Sequence, residues 1–301
     1  MARERAPHPS GPPALAFGLP HNGADMHSTE LGIRVAAVQM VSTANVEQNL
    51  RAAGELVEEA ARGGARLVVL PEYFCLMGMR DRDKVALRET DGRGPIQDFL
   101  ADQAARRRIW LVGGTLPLVT PDPDRVFNSV LVYDPTGKRV ARYDKIHLFS
   151  FRHGEEAYDE ARTIVAGRKP VMVACQFGQT KLQVGLSVCY DLRFPELYRR
   201  LHSADLMVVP AAFTATTGQA HWEALLRARA IENLCYVLAS AQGGRHDNGR
   251  ATFGHSMIVD PWGEVLAVRP NGAGVVLGTV EPARIAACRA SLPALAHRVL
   301  Q

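Results

Sequence analysis

Leu182-Gln-Val-Gly-Leu-Ser-Val188, Cys189-Tyr-Asp-Leu-Arg-Phe-Pro195, Glu196-Leu-Tyr-Arg-Arg-Leu201 and, after a short break, Asp205-Leu-Met-Val-Val209 follow one another in mid-chain. The first run is short and mostly apolar and reads as a strand over 182–188. The last is apolar after its aspartate and reads as a strand over 205–209, of the kind buried on both faces. Residues 194–202 between them read as a helix. Strand, helix and strand in succession call for helices layered on a sheet. Cys189 stands where the first strand gives way to the helix.

The same alternation continues outward. Ile33-Arg-Val-Ala-Ala-Val-Gln-Met40 is strand-like, and the stretch 45–63 places Val46, Leu50, Ala53, Leu56, Val57 and Ala60 at helical spacing. Arg66-Leu-Val-Val-Leu70 reads as a buried strand, 96–107 as a helix and 109–114 as another strand. Two hairpins are predicted around turns with Pro second and Gly fourth. Asp134-Pro-Thr-Gly137 joins 127–133 to 139–143, and Asp260-Pro-Trp-Gly263 joins 256–259 to 264–267. A helix over 219–233 and a strand over 235–241 lie between the two hairpins. Gly272-Ala-Gly274 reads as a hairpin-like turn with no helix after it, which argues against a dinucleotide site. No internal repeat and no linker divides this pattern. The expectation is one α/β domain over 31–290 with mixed sheets. It is flanked by a disordered Pro-, Gly- and Ala-rich tail over 1–30, in which Met26 is an alternative start, and by a C-terminal tail over 291–301.

Composition narrows the class. The 301 residues are 47% hydrophobic and 22% charged, ordinary values for a globular chain, with a formal charge of only +4. No long basic block appears and arginines have acids nearby, as Arg80 has Asp83, so a nucleic-acid partner is not expected. Five cysteines (Cys75, Cys175, Cys189, Cys235, Cys288), an odd number at wide spacing, read as reduced thiols in a cytoplasmic protein. No CxxC is present, so no zinc knuckle or thioredoxin-like motif is expected. No apolar run approaches the roughly 18 residues of a membrane span, and residues 1–30 lack the continuous apolar core of a signal peptide.

Four residues lie where a layered α/β sheet places its chemistry, beyond strand ends. Glu72 follows Leu70-Pro71, Lys145 follows the first hairpin, Cys189 closes its strand, and Glu160 lies on a polar segment after Lys145. Singly, each has a bland reading: a buried small hydrophobe for the cysteine, a solvated loop charge or helix cap for the glutamate, an exposed lysine after a turn. Rival chemistries lack their parts. His221-Trp-Glu223 spells the H-x-E of a zinc deaminase without its P-C-x-x-C, so His221 reads as a polar group at a helix start. Gly185-Leu-Ser187-Val-Cys189 has Cys where a nucleophile elbow needs Gly, so Ser187 reads as a packing residue.

In combination these segments resemble the nitrilase, or carbon-nitrogen hydrolase, superfamily. Leu70-Pro-Glu72, Tyr143-Asp-Lys-Ile-His-Leu-Phe149 and Gly185-Leu-Ser-Val-Cys-Tyr-Asp-Leu-Arg-Phe-Pro-Glu196 look like its three catalytic signatures, in its order and at about its separations. Pro210-Ala-Ala-Phe213, Thr217-Gly-Gln-Ala-His-Trp-Glu223, Arg227-Ala-Arg-Ala-Ile-Glu-Asn233 and Gly254-His-Ser-Met257 extend the likeness over roughly 32–285. It implies a four-layer α-β-β-α sandwich, assembly as a homodimer or larger homo-oligomer, and no metal or organic cofactor. It also implies a triad of Glu72, Lys145 and Cys189. For a second glutamate Glu160 is the best match, with Glu155 and Glu156 as neighbours. The rival from another class, an inactive binding or scaffold homologue, would have lost a triad member, and all three are present.

The resemblance further implies a cysteine amidase acting on a small carboxylate-bearing amide. The chain is most similar to the branch that hydrolyses deaminated glutathione, with omega-amidase and other small-amide or carbamoyl hydrolases as alternatives. Tyr190 stands after the cysteine, where true nitrilases commonly carry Trp. Tyr190, Arg193, Phe213 and Thr214 are the expected substrate-binding residues. Arg152 and Arg245 stand behind Arg193 as partners for a carboxylate, and a salt bridge at the next helix is the equally weighted alternative for Arg193. Phe149-Ser-Phe-Arg-His-Gly-Glu-Glu156 departs from the animal members' loop.

Overall fold

The structure is a computed structural model that describes residues 32–154 and 156–300. The tail expected over 1–30, with Met26, and Glu155 lie outside the described residues. In chain order the elements are β1 (Ile33–Gln39), α1 (Val46–Arg62), β2 (Leu67–Val69), α2 (Asp83–Leu87), α3 (Pro95–Arg107), β3 (Trp110–Val112), β4 (Leu116–Val119), β5 (Val126–Tyr133), β6 (Arg139–Asp144), β7 (Ser150–His153) and β8 (Glu156–Asp159). There follow β9 (Met172–Phe177), β10 (Thr180–Leu186), α4 (Pro195–Arg200), β11 (Leu206–Ala211), α5 (Ala215–Asn233), β12 (Tyr236–Ala241), β13 (Gly243–Arg245), β14 (Ala251–Phe253), β15 (Ser256–Val259), β16 (Val265–Arg269), β17 (Gly274–Val280) and α6 (Pro282–Ser291).

Two mixed sheets face each other. One has the order β17-β1-β2-β3-β5-β4 with β6 on β5, and the other the order β16-β15-β12-β11-β10-β9. Each has a parallel centre, β1-β2-β3 and β10-β11-β12, with antiparallel neighbours outside. Period-two alternation of side chains builds the layers. Val35, Ala37, Leu67 and Val69 enter the core between the sheets with Val184 and Leu186. Ala36, Val38 and Val68 point the other way, onto Val57, Ala60 and Leu100 of α1 and α3. On the far side α5 lays Trp222, Leu226 and Ala230 against the second sheet. The result is the four-layer α-β-β-α sandwich.

Local chemistry sets the helix ends. Asn45 caps α1 by accepting from the Gln48 N–H, and α1 buries the stripe Asn49, Ala53, Val57 and Ala60. Thr214 caps α5 by accepting from the Thr217 N–H. That cap starts the helix at Ala215, ahead of the expected residue 219, so His221 lies in its second turn rather than at its start. Two further expectations need correction. Gly272-Ala-Gly274 does not close a hairpin: β16 and β17 belong to different sheets, and the turn carries the chain from one to the other. The polar segment after Lys145 contains a hairpin, β7–β8, with Phe151 opposite Tyr158 and Glu160 just past its base. Among the described residues no helix is long and apolar enough to cross a membrane.

Candidate active site

Three strand ends and one hairpin base meet at a buried polar cluster. The chain leaves β2 through Pro71 and turns sharply at Tyr73, whose φ of 58° is left-handed and whose N–H donates to Thr115 Oγ1 at 2.9 Å. This turn drives Glu72 inward until it is 1% exposed. Its Oε1 accepts from Lys145 Nζ and Asn128 Nδ2, each at 2.9 Å, and its Oε2 from the Ala212 N–H at 3.0 Å. Lys145 follows β6 and is wholly buried. Its ammonium bridges Glu72 and Glu160, with Glu160 Oε1 at 2.9 Å. Glu160 also accepts from Tyr73 Oη at 2.9 Å and from the Phe149 N–H at 2.7 Å.

Cys189 follows β10 on a 3-10 turn, Cys189–Arg193, with φ of 50°. A non-glycine residue with left-handed backbone persists only where its surroundings hold it. Asp191, fully buried, is what holds this one. Its Oδ2 accepts from the Val188 N–H at 2.9 Å and from Tyr143 Oη at 2.6 Å, and its Oδ1 from the His147 N–H at 3.0 Å. The His147 ring in turn stacks on Phe194, with centroids 3.7 Å apart. The segment carrying Lys145 and the turn carrying Cys189 are therefore clasped through one carboxylate.

Burial and charge set the protonation states. Burial alone would lower the Lys145 ammonium, but the carboxylates of Glu160 and Glu72 outweigh it and hold it above its ordinary value. Burial would raise the Glu160 carboxyl, yet the Lys145 charge and hydrogen bond, with the Phe149 and Tyr73 donors, hold it low. Cys189 is pushed well above the ordinary thiol value by burial and by the Glu72 charge, against the pull of Lys145. These directions favour a protonated Cys189 thiol beside a charged Lys145 ammonium.

A pocket of about 10 Å³, room for about one water, opens over Cys189. Tyr190, Arg193, Phe213 and Thr214 all line it, together with Phe149 and Arg250. The Arg193 guanidinium lies 5.4 Å from the Phe213 ring and 5.8 Å from that of Tyr190, and its Nη1 is 3.2 Å from His221 Nδ1. Among the described residues it makes no salt bridge at the next helix. Arg152 and Arg245 are exposed on β7 and β13 and do not line the pocket. Glu156 accepts from Thr216 and Tyr158, away from Lys145. Ser187 is buried and donates to the Val208 carbonyl at 2.9 Å, consistent with packing. Sequence reasoning missed Tyr73, Asn128, Asp191 and Arg250. A buried Asn within an apolar strand, and the Tyr143-x-x-x-His147 spacing beside an Asp two residues after the cysteine, were the available signals. Arg250 left none.

A sandwich of this topology with cysteine, lysine and glutamate buried together defines a class, the hydrolases of carbon–nitrogen bonds. The chain belongs to the carbon-nitrogen hydrolase family, whose model matches residues 34–290. The deaminated glutathione amidase of Synechocystis sp. is 43% identical over 270 residues, covering 88% of this chain and 97% of that protein. The deaminated glutathione amidase of Dictyostelium discoideum is 38% identical over 89% of this chain and 94% of its own. Among solved structures, Saccharomyces cerevisiae Nit3, a member of branch 10 of the nitrilase superfamily, superposes with a TM-score of 0.78 at 30% identity, over 87% of this chain and 94% of its own. The chain is an amidase, and its substrate is a small-molecule amide.

Proposed function

We propose that the chain hydrolyses the amide bond of deaminated glutathione by acyl transfer through Cys189. The chemistry rests on one arrangement: Lys145 bridging Glu72 and Glu160 beside the only cysteine in this cluster. The choice of substrate is supported by relatives of that name matching along nearly their whole length.

Amide carbonyls are poor electrophiles, so a sulfur nucleophile divides one hard step into two. As Cys189 Sγ bonds to the carbonyl carbon, Glu72 takes the thiol proton. Lys145 and the Tyr190 N–H stabilise the oxyanion, a donor set whose single removal typically costs about 100-fold or more in rate. Glu72 then protonates the nitrogen as the C–N bond breaks, leaving a thioester and a free amine. Water gives its proton to Glu72 and adds to the thioester. The carboxylic acid departs and the proton returns to sulfur. Glu160 fixes the Lys145 ammonium, and Arg193 among Phe213, Tyr190 and Thr214 receives a carboxylate of the acyl part.

The reading extends to a cytoplasmic location, supported by five free and buried thiols. It also extends to a homodimer or larger homo-oligomer, supported by exposed Ile231, Trp262, Leu266 and Val268. The deciding assay offers purified enzyme and Cys189→Ala deaminated glutathione and α-ketoglutaramate in turn; both yield α-ketoglutarate, so one coupled reaction reads both. Preference for deaminated glutathione, lost in the variant, is the expected result. Preference for α-ketoglutaramate makes it an omega-amidase, and turnover of neither removes both substrates.

A further inference from the structure

A second cavity adjoins the pocket over Cys189. Its volume is about 170 Å³, and it shares Phe149, Glu160 and Arg250 with that pocket. Tyr73, Lys84, Tyr158 and Asn248 line it further out. Two of its cations are poorly matched. Among the described residues the Lys84 side chain, only 20% exposed, reaches no carboxylate nearer than Asp81 at 4.0 Å, and Asp81 itself is largely in solvent. It donates to Thr163 Oγ1 at 3.3 Å, and its ammonium lies 5.9 Å from the Tyr73 ring. Burial accordingly lowers the Lys84 pKa, against the charges of Asp81 and Glu160. Arg250 donates Nη2 to the Ala212 carbonyl at 2.6 Å and lies 5.0 Å from the Tyr158 ring, while its buried Nε has no partner among the described residues. Among the described residues no carboxylate forms an ion pair with Arg250. The acids lining this cavity are Asp81, Asp159 and Glu160, and Glu160 is already committed to Lys145.

Largely buried cations with little carboxylate compensation are costly unless a ligand completes them. We infer that this cavity is the subsite for the leaving amine and that Lys84 and Arg250 grip a carboxylate on it. The substrate class is thus an N-substituted amide whose amine portion ends in a carboxylate, such as a dipeptide. The order of events favours this side. The acyl group stays on sulfur while the amine departs and water enters, so the acyl part belongs over Cys189 and the amine in the adjoining cavity. Tyr73, a wall of the cavity, is the residue after Glu72, which hands its proton to the departing nitrogen. A carboxylate-terminated amine held here and an acyl carboxylate near Arg193 would place a cation at each end of one substrate.

The inference rests on the deaminated glutathione reading, and the test separates the two. Wild type, Lys84→Gln and Lys84→Arg are given deaminated glutathione, its glycine-carboxamide analogue and α-ketoglutaramate, which share one acyl group and differ in the amine. In Lys84→Gln the kcat/KM ratio of deaminated glutathione to α-ketoglutaramate should fall by about tenfold or more. The preference of wild type for the free carboxylate over its carboxamide should collapse with it, and Lys84→Arg should restore both. Equal losses on all three substrates would make Lys84 structural or acyl-binding and overturn the subsite, as would an unchanged ratio. If wild type turns over neither deaminated glutathione nor α-ketoglutaramate, the substrate reading falls and takes the subsite with it. Wild-type turnover with an unresponsive Lys84 removes the subsite alone.

Discussion

The Tyr143 hydroxyl donates to the Asp191 carboxylate at 2.6 Å, joining residues 48 apart in sequence, one on β6 of the first sheet and the other on the turn after β10 of the second. Tyr143 stands two residues before Lys145 and Asp191 two after Cys189. The bond therefore ties the strand that leads to the ammonium to the turn that carries the sulfur. A hydrogen bond to a buried charged group contributes about 1.5–3 kcal/mol. Tyr143→Phe should lose that much in urea unfolding and should lower kcat more than it raises KM, because it loosens alignment rather than substrate contact. A variant that is destabilised with kcat intact would mean that the clasp serves folding only.

Lys145 is wholly buried between two carboxylates that are themselves buried or nearly so. Removing one partner of such a set leaves uncompensated charge and typically costs about 3–5 kcal/mol. Lys145→Ala should therefore destabilise the fold far more than Cys189→Ala, which removes only a neutral sulfur. Adding Glu160→Gln to Lys145→Ala should recover part of the stability and none of the turnover. Comparable unfolding midpoints for Lys145→Ala and wild type would contradict this account of the cluster.

The layers were legible because inward and outward side chains alternate along β1 and β2 and because α1 carries its apolar stripe at helical spacing. The β7–β8 hairpin was not, since Ser150-Phe-Arg-His153 is largely exposed and shows no buried face to betray it. Gly272-Ala-Gly274 announces a turn, but nothing local tells which sheet receives the next strand. Glu72, Lys145 and Cys189 stand out only in combination, through the three segments that resemble the nitrilase superfamily's signatures, since singly each has a bland reading. Asn128, Asp191 and Arg250 acquire meaning only through partners 56, 48 and 38 residues away, so no window of sequence contains the reason for them.

Glu160 makes the acid response specific. Its carboxyl is held below the usual range, burial being outweighed by Lys145, Phe149 and Tyr73. A folded-state value below the unfolded one, near 4.3 for a free Glu, adds stability above that pH and loses it as pH falls through the folded value. Unfolding midpoints from about pH 7 to about pH 3 should fall more steeply in wild type than in Glu160→Gln. Parallel curves would remove Glu160 from the acid response.

Cys189 gives the opposite sign at the alkaline end. Burial and the Glu72 charge hold its thiol protonated, with Lys145 too committed to its carboxylates to reverse this. On the proposed mechanism the sulfur is activated when the carbonyl arrives and Glu72 takes the proton, rather than by an ion pair standing ready. A folded value above the unfolded one, roughly 8.5 for a free thiol, stabilises below that pH and loses its contribution as pH rises through the folded value. Ultraviolet titration, subtracting Cys189→Ala from wild type, should show no thiolate at neutral pH. Cys75, Cys175 and Cys235, all raised to about 12 by burial, cancel in the difference. The variant should also lose less stability than wild type as the solution becomes alkaline. A thiolate step near neutrality, present in wild type and absent in Cys189→Ala, would establish a preformed thiolate–lysine pair. It would move Glu72 from the first proton transfer to the later ones.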